Sequence, residues 1–390
     1  MKKILIFSLA YFPKPVAGAE IAVKEITDRI SDIEFHLITN RFESAQSSEE
    51  KIGNVHVHRV GEGASYLSKI FFIPRAVRLA IRLQGTHAFD GAWALMSYMA
   101  LPLVGMRFFG IRLPYCLTLQ EGDTFEHMFR RARILPVLPL LSLAFRSATI
   151  VQTISQYLAT WPPRMGYRGE VVVIPNGADV PRFSGKASDA AINEIRDRLQ
   201  KKMGEVLLIT SSRLVYKNAI DDVIRALPLL PKNVRFCILG EGEEKAKLQE
   251  IANNLHVAHR VEFCGFVSHD ELPLYLKAAD IFIRPSRSEG MGSSFVEAMA
   301  AGLPIIATQV GGIADFLFDE KRNPDKPITG WAVEPDSPQN IADAVRSIME
   351  QPEKVRAVVA TAKALIAEKY DWNVIVRDMR EKVFAPILGK

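Results

Sequence analysis

Short β-branched runs alternate with amphipathic stretches along nearly the whole chain, and this alternation constrains the fold more than any other feature of the 390 residues. The runs expected as strands in the first half are 3–9, 33–39, 54–60, 89–95, 115–119, 148–152 and 170–174. In the second half they are 206–211, 235–240, 261–264, 281–285 and 305–308. Helical periodicity falls between them, for example at 20–30, 67–83, 219–230 and 342–349. Strands that alternate with helices form parallel sheets covered on both faces, and such sheets bind ligands beyond the carboxyl ends of their strands.

One stretch interrupts the pattern. Pro175-Asn-Gly-Ala-Asp-Val-Pro-Arg-Phe-Ser-Gly185 holds two prolines and an Asn-Gly pair, a turn-rich linker. It divides the chain into two α/β halves, each long enough to bury its own core. Two doubly wound domains facing each other across a cleft is the expected architecture. No apolar run reaches the roughly 18–20 residues of a membrane span. Met1–Ala10 carries two lysines and then apolar residues, but Tyr11-Phe-Pro-Lys-Pro15 follows where a leader peptide would have small residues, so it reads as a first buried strand. Cys116, Cys237 and Cys264 are too few and too widely spaced for a disulfide or zinc framework, which fits a reducing cytoplasm. The net charge of +5 is uneven, with 12 Lys/Arg against 5 Asp/Glu in residues 51–150. A basic zone of this kind attracts phosphate groups, in a lipid, a nucleic acid or a sugar-phosphate carrier. Nucleic acid is disfavoured because no aromatics interleave with basic residues on a strand face.

Chemistry is densest in Arg284-Pro-Ser-Arg-Ser-Glu-Gly-Met-Gly-Ser-Ser-Phe-Val-Glu-Ala-Met-Ala-Ala-Gly-Leu-Pro304. A strand ends there, and Gly290 and Gly292 allow positive φ and close approach to a ligand. Ser293 or Ser294 is expected to cap the following helix, whose first-turn N–H groups favour an anion. Glu289 in the loop and Glu297, expected in the first helical turn, could accept hydroxyls from two ends of one polyol. Ser211-Ser-Arg-Leu-Val-Tyr-Lys-Asn218 puts Arg213 and Lys217 after another strand, a fork and a point charge suited to phosphate, although a solvated surface pair would read the same way. In Tyr11–Glu20, Gly18 and Ala19 are small at a helix start, without the glycine spacing of a dinucleotide loop or the lysine of a Walker loop.

These stretches in this order resemble glycosyltransferase family 4, of the GT-B fold. The matching pieces are Phe12-Pro…Gly18-Ala-Glu20, Ile174-Pro-Asn-Gly177, Ser212-Arg-Leu-Val-Tyr-Lys217 and Gly240-Glu-Gly-Glu-Glu-Lys245. They continue with Phe263-Cys-Gly-Phe-Val267, Ala279-Asp280, Pro285-Ser286, Glu289 through Pro304, and Val310-Gly-Gly312. The resemblance implies two Rossmann-like domains. Residues 1–178 would bind the acceptor, completed by a closing helix at about 371–390, and residues 179–370 would bind a nucleotide-diphosphate sugar. By matching position, Arg213 and Lys217 would hold the diphosphate, Glu297 the ribose, and Glu289 would face the sugar. Gly290, Met291, Gly292, Ser293 and Ser294 would line sugar and phosphate, Phe266 and Val267 the base, and Gly18 would approach the diphosphate from the first domain. Transfer would retain anomeric configuration, with no cofactor and no required metal. The partners implied are a nucleotide sugar and a glycan or lipid-linked acceptor of cell-envelope synthesis.

Gln120 departs from the family, which commonly has a histidine there; Gln120, Glu121 and Asp123 are the acceptor-side candidates. Gln hydrogen-bonds a hydroxyl but does not titrate. Glu121, Asp123 and His127 make a weak metal set, and His56 and His58, on one strand face, read as structural. Phe129–Arg146 pairs a basic start with apolar residues. A buried helix explains most of 140–145, and a peripheral contact with anionic lipid at the inner membrane face is the other reading. The rival functions are a donor-binding partner subunit without transfer activity, or an epimerase or phosphorylase on the same fold.

Overall fold

The computed structural model describes residues 1–13 and 17–389. Lys14, Pro15 and Val16 of the Tyr11–Glu20 loop, and Lys390 of the expected closing helix, lie outside the described residues. The chain divides into two compact units, Met1–Asn176 with Trp372–Lys390, and Gly177–Asp371. The first crossing, after Asn176, falls within the turn-rich linker, and the second follows Asp371.

In the first unit the strands are β1 (Lys2–Phe7), β2 (Ile33–Asn40), β3 (Glu49–Ile52), β4 (Val55–Val60), β5 (Gly91–Leu95), β6 (Tyr115–Leu119), β7 (Ile150–Thr153) and β8 (Val171–Val173). Their order in the sheet is β3-β4-β2-β1-β5-β6-β7-β8. Every pairing is parallel except β3 with β4. β3 was not expected from the sequence. Its residues, Glu-Glu-Lys-Ile, are mostly exposed, and a short charged strand is how a sheet edge avoids pairing with another chain.

One face of this sheet is covered by α1 (Gly18–Asp28) and by the segment after Trp372. Ile4, Ile6, Phe35, Leu37, Val55 and Trp93 share a core with Trp372, Ile375, Phe384 and Ile387. The Phe384 ring lies 5.9 Å from Phe35 and 5.2 Å from Trp93. Burying such side chains stabilises by about 1.5–3 kcal/mol each, so this segment is part of the first unit's core.

Further helices are α2 (Tyr66–His87) and α3 (Leu101–Phe108), which pack together, with the helix Leu138–Ser147 against α3. Leu141, Ala144 and Phe145 of that last helix are buried, while Leu140 and Leu143 are exposed. Both readings of 140–145 therefore have residues to support them, on different faces.

The second unit is a wholly parallel sheet of β9 (Val206–Ser211), β10 (Val234–Leu239), β11 (Val261–Gly265), β12 (Ile281–Arg284), β13 (Ile305–Ala307) and β14 (Trp331–Ala332). The order is β11-β10-β9-β12-β13-β14. The chain winds outward from β9 in one direction and then from β12 in the other. The ends of β9 and β12 are thus the topological switch point, where open α/β sheets take their ligands.

Four local expectations are corrected. The stretch 219–230 is a helix only over Ile220–Ala226 and then tightens to a 3₁₀ turn, Leu227–Leu229. The helix Ser293–Ala301 is preceded by Gly292 at φ +87° and has no side-chain cap, so neither Ser293 nor Ser294 caps it. Both serines already lie inside the helix, past the position from which a hydroxyl reaches the orphan N–H groups. Glu297 is the fifth residue of this helix and so lies in the second turn. Of the paired glycines, Gly292 takes positive φ and Gly290 does not.

Candidate active site at the switch point of the second unit

Because β9 and β12 are neighbours, the loops that follow them leave the sheet side by side. The β9 loop carries Arg213, which is exposed, and Lys217, half-buried. Asn218 Nδ2 donates to the Arg213 carbonyl at 2.6 Å and fixes the bend between them. Gly240 and Gly242 let the β10 loop lie directly against this one. A Cβ on Gly240 would sit 1.9 Å from the Ser212 carbonyl oxygen, and one on Gly242 2.2 Å from that of Leu214.

Arg287 ties the two loops together. Its backbone N–H donates to the Lys217 carbonyl at 2.7 Å, and its guanidinium donates to the Tyr216 carbonyl at 2.8 Å. The same guanidinium pairs with Asp221, Asp222 and Asp336. Burial, reinforced by Asp221, pushes the Asp222 carboxyl up to about 6 although Arg287 pulls it down.

A second arginine organises the β12 loop. Arg284 is buried, and its Nη2 donates to Glu289 Oε2 at 2.7 Å while Nη1 donates to the Ser294 hydroxyl at 2.9 Å. Its guanidinium lies 4.3 Å from the Phe295 ring centroid. Burial pulls the Arg284 pKa down, opposed by Glu289 and Glu297. Glu289 Oε1 accepts from the Gly290 N–H at 3.0 Å, so both carboxylate oxygens are oriented. Two glycines let this loop pack closely, Gly292 within it and Gly311 in the loop after β13. A Cβ on Gly292 would meet Phe295 at 2.6 Å, and one on Gly311 would meet the Glu289 carbonyl oxygen at 1.8 Å.

Glu297 is buried on the following helix, and its Oε1 lies 3.0 Å from His269 Nε2. His269 follows the exposed Phe266 and half-buried Val267 at the end of β11. Arg182 donates to the His269 carbonyl at 2.7 Å and also pairs with Asp270. The second unit thus brings together exposed Arg213 and half-buried Lys217 after β9, an oriented carboxylate and an uncapped helix after β12, and a buried carboxylate paired with His269, three residues past the exposed Phe266 after β11. Such a set offers charge for a diphosphate, acceptors for hydroxyls and an apolar ring for a base.

Arg284, Arg287 and His269 were missed from the sequence. The signal for Arg284 was available, since an arginine closing the apolar run Ile281-Phe-Ile must find a buried partner.

In the first unit the acceptor-side candidates lie at the end of β6. Glu121 is buried, with Oε1 accepting from the Ser97 N–H and hydroxyl, each at 2.6 Å, and Oε2 accepting from the Gln120 N–H at 2.9 Å. Burial pushes its carboxyl up against the pull of those bonds. The Gln120 side chain accepts from Asn176 Nδ2 at 3.1 Å, and Asp123 is half-buried. Gly18 opens α1. Glu121, Asp123 and His127 do not gather as metal ligands among the described residues; Glu34, His36 and His87 do.

The fold places the protein among GT-B structures. A sucrose-phosphate synthase from Thermosynechococcus elongatus superimposes with a TM-score of 0.86 at 17% identity, covering 100% of both chains. More narrowly, residues 191–365 match the family model of Glycosyl transferases group 1, a stretch that lies within the second unit and carries Arg213, Lys217, Glu289 and Glu297. An uncharacterized glycosyltransferase, MJ1607, of Methanocaldococcus jannaschii is 31% identical over 211 residues, 54% of this chain and 52% of that protein. A GDP-mannose-dependent alpha-(1-6)-phosphatidylinositol monomannoside mannosyltransferase of Mycobacterium tuberculosis is 29% identical over 244 residues, 60% of each. The chain spans between half and two thirds of the length of these curated relatives.

Proposed function

We propose that the protein is a glycosyltransferase of family 4. In this reading it moves a hexose-type sugar, with retention, from a nucleotide-diphosphate donor to a hydroxyl of a glycan or lipid-linked acceptor in cell-envelope synthesis. The observation that carries this reading is the convergence of Arg213, Lys217, Glu289, Glu297 and the uncapped helix Ser293–Ala301 at the switch point. Dependence of the mycobacterial relative on a nucleotide sugar supports the donor class.

Chemistry follows from the charges. Breaking the bond between the anomeric carbon and the phosphate oxygen leaves the electron pair on that oxygen and oxocarbenium character on the sugar. Arg213, Lys217 and the N–H groups of Ser293 and Ser294 face the growing anion without reorganising. The acceptor hydroxyl bonds the anomeric carbon from the same side and gives its proton to the departing phosphate oxygen, so retention needs no protein nucleophile. Glu289 accepts sugar hydroxyls, supported by Gly290, Met291 and Gly292. Glu297 accepts the ribose hydroxyls, and Phe266 and Val267 contact the base. Gly18 joins the donor contacts, and Gln120 and Asp123 the acceptor contacts, on the resemblance in sequence. Glu121, buried beneath that loop, shapes it.

A membrane contact belongs to the same reading. Leu67, Ile70 and Phe71 of α2, Phe108 and Phe109 at the end of α3, and Leu140 and Leu143 are exposed. Arg75 lies near the Phe71 ring and Arg133 near that of Tyr66. Aromatics bordered by arginines suit the surface of an anionic bilayer on the cytoplasmic side. Among the described residues no helix is long and apolar enough to cross a membrane.

The test is a thermal-shift panel of UDP-, GDP-, ADP- and dTDP-sugars. One donor should raise the melting temperature by a few degrees, and Glu297→Ala should abolish the shift. Anomeric proton spectra of the product then check retention. An inverted product would refute the proposed route, and donor binding without transfer to any acceptor would favour the partner-subunit reading.

A further inference from the structure

Four of the eight histidines of the chain gather on one face of the first sheet. On β2, Glu34 and His36 alternate with Phe35 and Leu37, whose side chains enter the core, so the two polar side chains share the opposite face. Parallel pairing sets His56 of β4 opposite His36, and His58 follows on the same face. His87 arrives from the last turn of α2. The His36 ring lies 4.8 Å from that of His56, 5.3 Å from His58 and 4.3 Å from His87, and Phe89 meets it edge-on at 5.2 Å. One ligand-type atom from each of Glu34, His36 and His87 lies within 4.8 Å of the others.

We propose that Glu34, His36 and His87 form a site for a divalent transition metal of the zinc class, separate from the donor site. Two imidazoles and one carboxylate suit Zn²⁺, Co²⁺ or Ni²⁺ better than Mg²⁺ or Ca²⁺. Hydrogen bonding among the neighbours gives an independent argument. Without metal, His36 Nε2–H donates to Glu34 Oε1 at 2.7 Å, so a neutral His36 must accept at Nδ1 from His58 Nε2–H, 3.0 Å away. A neutral His58 then turns its bare Nδ1 toward Glu49 Oε1 at 3.4 Å, acceptor against acceptor.

A metal on His36 Nε2 reverses the chain. His36 Nδ1–H donates to His58 Nε2, and His58 Nδ1–H donates to Glu49. Every ring nitrogen of the pair now has a complementary partner with both rings neutral, the carboxylate-backed arrangement typical of metal-bound histidines. Lys3 Nζ, 3.5 Å from Glu34 Oε1, is the cation that competes for this place. Glu34 and His36 lie near the start of β2, whereas ligands of open α/β sheets sit beyond strand carboxyl ends. The metal would brace β2 against α2 and stay away from the reacting atoms.

The experiment uses the untagged full chain, with Co²⁺ as an optical probe and Zn²⁺ in equilibrium dialysis. One equivalent should bind, with visible Co²⁺ bands. His87→Ala and Glu34→Gln, both at partly exposed positions, should each weaken binding by roughly tenfold or more while circular dichroism stays unchanged. Lys3→Gln should tighten it by removing the competing charge. Absence of saturable binding by the wild-type chain, or unaltered binding in both ligand variants, would overturn the proposal.

Discussion

Arg284 shows how a single buried charge can organise a site made of loops. Its guanidinium connects strand end, loop carboxylate and helix serine through Glu289 and Ser294. Removing one partner of a buried ion pair leaves the other uncompensated, at about 3–5 kcal/mol. Arg284→Met should therefore lower unfolding stability by an amount in that range, measured by denaturant titration. The double variant Arg284→Met/Glu289→Gln should recover part of the loss, because the stranded carboxylate is gone. Arg213 behaves differently. Being exposed, it should cost little stability when changed to Ala, yet reduce transfer by on the order of 10²-fold or more in a steady-state assay.

At the scale of elements, the β9 and β12 loops are held together by Arg287 and its three aspartates, and this junction carries a pH signature. Asp222, pushed up to about 6, keeps its proton in the folded chain at pH values where an unfolded aspartate, near 3.9, has already lost its own. Folding therefore takes up a proton between about pH 4 and pH 6, and the stability contributed by this residue falls as pH rises through that window. Asp222→Asn should flatten that part of the profile. Relative to wild type, its denaturation midpoint should be higher at about pH 7 than at about pH 4.5.

Legibility from sequence followed the same physics. Strands such as Tyr115–Leu119 and Val206–Ser211 are fully legible because buried parallel strands are nearly continuous apolar runs. β3 escaped because an edge strand needs no apolar pattern, and β14 because two residues carry no period. Arg213, Lys217, Glu289 and Glu297 were legible from motif spacing, but their supports Arg287 and His269 were not. Those side chains act through residues far away in sequence, Asp336 for the first and Arg182 for the second. The histidine cluster was half-visible, since His56 and His58 share a strand face, whereas His36 and His87 join them only through β2–β4 pairing and the docking of α2.

For the whole molecule, the two units differ in outer surface as well as in chemistry. The exposed apolar residues of α2 and α3 belong to the first unit, which also holds the excess of basic residues. Vesicles containing phosphatidylglycerol should co-sediment the protein, and phosphatidylcholine vesicles should not. Phe108→Glu/Phe109→Glu should weaken binding several-fold without changing donor affinity measured by calorimetry. The first unit also takes Trp372, Ile375, Phe384 and Ile387 into its core, residues encoded after the entire second unit. The second unit is therefore synthesised in full before the segment that closes the first unit's interior. Through most of synthesis the part of that sheet face left uncovered by α1 is a surface for chaperones to guard, and the growing chain must loop back to its own beginning to cover it.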